Sequence, residues 1–166
     1  AEEMQHDAPC LAYSFVIKEK NRMDKKKLEK LKVPQNSPLI GELVRGNIVE
    51  INGKKIDGKK LIYKEQQRKV VYIIDTRFNQ EAVKLAKDSD VLICESTYAS
   101  EEIEEANEYK HMTSTQAAEI AKKSKSKKLI LMHLSQRYEN PKQILEEAKK
   151  VFKETKVAED FDKLEI

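Results

Sequence analysis

A chain of 166 residues with 39% hydrophobic and 37% charged residues and a mean hydropathy of -0.71 fits one soluble domain with an adequate core, which excludes a disordered tail or a collagen-like fibre. Lysine and arginine total 32 against 29 acidic residues, and the net charge of +3 permits an anionic partner without requiring one. The longest apolar runs, 70–74 and 129–132, are strand-sized and far short of the roughly 20 residues that cross a bilayer, so no membrane span is expected. The first six residues lack the basic and apolar regions of a signal peptide, and the missing initiator methionine suggests truncation. Cys10 and Cys94 lie in apolar stretches and are expected as buried, reduced thiols, which places the protein in a reducing, cytoplasmic compartment.

In chain order, residues 11–17 are aromatic and β-branched and read as a strand. A highly charged segment over 18–32 follows, with Met23, Leu28 and Leu31 forming a thin helical stripe. The prolines of 33–38 impose a loop. Residues 46–56 alternate around Asn52-Gly53, a hairpin signal, and Gly58 closes this small β region. From residue 69 the pattern becomes strand (70–74), helix (78–86), strand (91–94), helices (101–109 and 115–123), strand (129–132) and helix (141–152), with short final strands at 157–158 and 164–166. That order predicts an α/β layer with fully covered strands in a single domain over 1–166.

Three metal-capable side chains fall near strand ends: Asp75 after 70–74, His133 after 129–132, and His6 ahead of the first strand. Open α/β sheets bind ligands at such ends, and nitrogen and oxygen donors suit Zn, Mn or Fe(II). A second account fits each one: Asp75 capping the next helix, His133 as a hydrogen-bonded structural histidine, His6 solvated. Glu95 and His111 form another pair, in which a carboxylate fixes a histidine tautomer and prepares a general acid. Against that, Thr113-Ser114-Thr115 reads as a helix cap with His111 a bystander. Ser135 and Arg137 offer a hydroxyl and a guanidinium suited to phosphate oxygens, or belong to an ordinary polar loop. The lysine runs at 25–27 and 122–128 suit a polyphosphate backbone or plain solvated surface, and the sparse aromatics argue against a base-stacking platform.

Taken together, these segments resemble the carboxy-terminal half of the tRNase Z family, tRNA 3′-processing endonucleases of the metallo-β-lactamase superfamily. HDAPCLAY at 6–13 resembles the segment with a central ligand histidine, with Ala12 in place of the usual glycine. Asp75-Thr76 matches the motif whose aspartate bridges two zinc ions. CEST at 94–97 resembles the HEAT motif with Cys94 replacing the histidine, HMT at 111–113 resembles HST, and HLSQRY at 133–138 resembles the last ligand signature. The resemblance implies the carboxy-terminal half of an αββα sandwich with one face of its sheet exposed. It also implies metal ligands His6, Asp75 and His133, a proton-donating pair of Glu95 and His111, and substrate contacts from Thr113, Ser135 and Arg137. It further implies removal of the 3′ trailer from precursor tRNA, two zinc ions in the complete enzyme, and a homodimer. The family's His-x-His-x-Asp-His motif is absent, and the resemblance puts the tRNA-gripping arm in the missing half too. An incomplete zinc site, inactive alone, is therefore expected. Two alternatives remain: another hydrolase of the superfamily, or a non-catalytic RNA-binding or dimerisation half.

Overall fold

Apolar residues alternate in burial along the central strands, and that alternation divides the sheet into a packed face and an open one. The computed structural model describes residues 1–34 and 36–166; Gln35, inside the loop expected over 33–38, lies outside the described residues. In chain order the elements are β1 (Glu2–Met4), β2 (Cys10–Ile17), β3 (Lys20–Met23), α1 (Lys25–Lys30), α2 (Ile40–Val44), β4 (Ile48–Ile51), β5 (Lys54–Asp57) and β6 (Ile62–Glu65). They continue with β7 (Arg68–Ile73), α3 (Gln80–Ala86), β8 (Val91–Glu95), α4 (Ile103–Glu108), α5 (Ser114–Ser124), β9 (Leu129–Met132), α6 (Lys142–Val151) and β10 (Thr155–Val157). The chain divides into two compact units, one of Ala1–Val16 with Arg68–Ile166 and one of Ile17–Gln67.

The larger unit is built on a six-stranded sheet in the order β1-β2-β7-β8-β9-β10, with β1 antiparallel to β2 and β7 through β10 parallel. Val71, Ile73, Leu92, Cys94, Leu129 and Leu131 are fully buried against Ala82 and Ala86 of α3, Ala118 and Ile120 of α5, and Ile144 and Ala148 of α6. Small alanines on the helices let backbone approach the sheet closely, while the branched strand residues fill the layer. The opposite face is different: Val70, Tyr72, Ile93 and Ile130 are only half-buried, and Leu11 and Tyr13 remain 46% and 44% exposed. The strands are thus covered on one side rather than fully, so an unbroken apolar run does not report how many faces are packed. Residues 164–166, expected as a strand, are irregular and exposed: the β9–β10 ladder ends where Ala158 N–H donates to the Leu131 carbonyl, and Leu164 and Ile166 stay 42% and 43% exposed.

The smaller unit pairs β3 with β6 and β4 with β5, both antiparallel, around Leu28, Val33, Leu43, Ile56 and Leu61. Asn52 and Gly53 have φ of 52° and 73°, the two positive values of a type I′ turn, as the sequence signal required. Gly58 is needed for space: a Cβ there would lie 2.3 Å from the Leu43 carbonyl oxygen and 2.9 Å from that of Asn47. Met23 and Leu31 do not share a helical stripe. Asp24 caps α1 by accepting from the Lys27 amide, so Met23 ends a strand before the helix, and Leu31 lies past its end and is exposed.

Candidate active site

The carboxyl ends of β7, β8 and β9 deliver Asp75, Glu95 and His133 to one edge of the sheet. Asp75 and His133 each leave their strand in the left-handed backbone region, with φ of 51° and 55°, a conformation uncommon for residues bearing a Cβ and often found at functional sites. The cap of α3 is Asn79, whose Oδ1 accepts from the Ala82 amide at 2.7 Å, so Asp75 does not serve that purpose.

Glu95 is fully buried and organises the site. One carboxylate oxygen accepts the Thr76 amide; the other accepts the Met112 amide at 3.1 Å, the Thr97 hydroxyl at 2.8 Å and His111 Nδ1 at 3.0 Å. Four donors around one carboxylate compensate the desolvation that burial imposes. His111 is held by helix ends on both sides. The chain leaves α4 through Lys110 in the left-handed region, with His111 N–H donating to the Ala106 carbonyl, the bond that completes a Schellman turn. Two residues later Thr113 caps α5, its hydroxyl accepting from the Gln116 amide while the Gln116 side chain accepts from the Thr113 amide. The cap and the Glu95–His111 pair, alternatives in the sequence, coexist. The Glu95 hydrogen bond raises the His111 pKa above its ordinary 6.5 against the opposing effect of burial.

His133 points Nε2 at Asp75 Oδ1 across 3.3 Å and Nδ1 at the Thr97 hydroxyl across 3.1 Å. The ring centroids of His111 and His133 are 5.3 Å apart, and those of His6 and His111 also 5.3 Å, so all three histidines converge. Asp75, His111 and His133 each offer a ligand atom, all within 4.8 Å of one another. His6 is oriented otherwise: its Nδ1 accepts from the Ala8 amide at 3.3 Å, which leaves the proton of the neutral ring on Nε2. This donor set of imidazole nitrogens and a carboxylate oxygen fits zinc or a similar divalent ion.

Ser135 and Arg137 lie on the loop after His133, which is tied back by Ser135 N–H to the Thr97 carbonyl and by Ala99 N–H to the Tyr138 hydroxyl. Arg137 stacks over the Tyr98 ring at 5.0 Å and pairs with Glu102. Thr113 is buried, its hydroxyl taken up by the cap. Cys94, at the position of the motif histidine, is buried in the core, where desolvation pushes its thiol well above the usual value; both cysteines are free. Of the other residues that shape the site, Thr97 falls within the CEST segment, while Tyr98 and Glu102 carry no signal in the sequence.

No family model matches the sequence. Ribonuclease Z of Lactobacillus helveticus is 44% identical over 84% of this chain and 46% of its own length, and that of Limosilactobacillus reuteri 38% identical over 100% of this chain and 55% of its own. The chain spans about half the length of the curated relatives it matches. Among solved structures, the long-form RNase Z from yeast superposes with a TM-score of 0.52 at 34% identity, over 59% of this chain and 13% of that one. The metallo-β-lactamase fold protein YhfI from Bacillus subtilis superposes with a TM-score of 0.51 at 23% identity, over 68% of this chain and 45% of that one. Sequence and fold together make this chain a metallo-β-lactamase-fold protein homologous to about half of a ribonuclease Z.

Proposed function

We propose that this chain is the proton-donating side of a zinc-dependent endoribonuclease that removes the 3′ trailer from precursor tRNA. The observation that carries this is the buried Glu95 holding His111 beside Asp75 and His133. Because His111 Nδ1 donates to Glu95, its exchangeable proton is the one on Nε2, and the raised pKa keeps that proton in place nearer neutral pH. A protonated imidazole does not ligate a metal, so the same shift favours His111 as general acid toward the leaving 3′ oxygen over His111 as ligand. Asp75, His133 and His6 would hold the zinc, His6 after moving its proton off Nε2. Zinc, when bound, supplies Lewis acidity toward the scissile phosphate. Arg137 and Ser135 sit on the adjoining loop as phosphate contacts, Arg137 once released from Glu102.

Charge supports an RNA substrate. The smaller unit carries fourteen lysines and arginines against seven acidic residues, a net +7 in a chain of net +3, which leaves the larger unit at −4. On that charge, RNA gripping is assigned to Ile17–Gln67. The two unbridged thiols favour a reducing, cytoplasmic setting, and no helix among the described residues is long and apolar enough to cross a membrane. The open sheet face is compatible with assembly as a homodimer.

The test is cleavage of precursor tRNA by this chain with zinc, alone and mixed with the amino-terminal half of a ribonuclease Z. Cleavage on mixing is expected, falling about 10²- to 10⁴-fold with His111→Ala while zinc content holds. Normal turnover by that variant overturns the role of His111, and hydrolysis of small phosphodiesters without tRNA cleavage overturns the substrate.

A further inference from the structure

We infer that Thr97 is a positioning residue that fixes the tautomer of His133 and ties it to the carboxylate that holds His111. A threonine hydroxyl has one hydrogen and two lone pairs. Both oxygens of Glu95 already accept backbone N–H groups, from Thr76 and Met112, so the bond between Thr97 and Glu95 uses the hydroxyl hydrogen. What Thr97 Oγ1 presents to His133 Nδ1 at 3.1 Å is then a lone pair, and the contact is a hydrogen bond only when Nδ1 carries the proton. The neutral ring is left with a bare Nε2, and that nitrogen faces Asp75 Oδ1 at 3.3 Å. Two acceptors meet with no hydrogen between them, an arrangement relieved by a cation. The left-handed backbone of both residues builds this aim into the chain. One buried carboxylate thus sets two histidines, His111 directly and His133 through a hydroxyl, as ligating histidines are ordinarily set by a partner on the second ring nitrogen.

The purpose of this relay rests on the proposed metal site, but its geometry is tested apart from it. Long-range proton–nitrogen NMR of the whole chain at about pH 8.5, two units above the ordinary histidine value of about 6.5, reads each tautomer directly. His133 is expected with Nδ1 protonated and Nε2 bare in the wild type and in Thr97→Ser, and with loss of that preference in Thr97→Val, which keeps the shape without the hydroxyl. His133 protonated at Nε2 in the wild type overturns the inference, as does an unchanged tautomer in a folded Thr97→Val. If the valine variant fails to fold, the wild type and Thr97→Ser decide the question alone. Zinc chloride added to the wild type separates the two proposals: no change at His133 alongside the stated tautomer overturns the metal assignment and leaves the relay standing.

Discussion

The two units reach stability by different means. Among the described residues, the smaller has a buried core of five apolar residues and depends on local geometry: an I′ turn at Asn52-Gly53, a cap at Asp24, and a glycine at 58 where nothing larger fits. The larger has eighteen buried residues in one core, and within it keeps a buried carboxylate with four donors. A surplus of apolar burial lets a unit carry a costly polar network, and the smaller unit, with its excess of positive charge, has no such surplus.

That contrast can be broken most severely at Glu95. Glu95→Ala leaves two backbone amides, a hydroxyl and an imidazole unpaired, so thermal unfolding should show a loss of about 3–5 kcal/mol; a loss under 1 kcal/mol would mean that water replaces the carboxylate readily. Leu43→Ala and Ile144→Ala both empty a fully buried site, at about 2–5 kcal/mol each. Amide hydrogen exchange should locate the first loss in β4 and β5 and the second in β8 and β9, and equal deprotection of both sets would deny that the units differ. Gly58→Ala forces a methyl onto two carbonyls and should cost about 1–3 kcal/mol by denaturant unfolding, with the effect confined to the smaller unit.

The mildest test is pH. Burial by itself raises the Glu147 pKa, but hydrogen bonds from the Ser114 and Ser100 hydroxyls, the Ser100 amide and Gln143 outweigh it and leave the pKa below its usual 4.5. A depressed folded-state pKa stabilises above the unfolded value and is lost as pH falls through the folded one. Melting temperature should therefore decline below about pH 4.5 in the wild type and decline less in Glu147→Gln.

Most of the larger unit was legible because its central strands β7, β8 and β9 carry continuous apolar runs and the segments between them recur at helical spacing. The Thr113 box and the hairpin at Asn52-Gly53 are signals in single residue types, whereas the cap of α3, expected at Asp75, is Asn79. β3 and β6 were not legible, since Lys20–Met23 and Ile62–Glu65 are mostly polar residues whose pairing depends on a partner strand some forty residues away. The pairing of Glu95 with His111 was visible as a spacing between a strand end and a helix end. The link from Thr97 to His133 was not, because it spans 36 residues and depends on which way one hydroxyl turns.

The short segment that carries His111 has one further consequence. It is clamped at one end by the finishing turn of α4 and at the other by the cap of α5, with no slack between them. Inserting one residue would shift the imidazole by about 3.3–3.6 Å, more than the whole length of its hydrogen bond to Glu95. Here the count of residues is as strict a specification as their identity, and a redesign that kept every side chain but changed the spacing by one would lose the bond between His111 and Glu95.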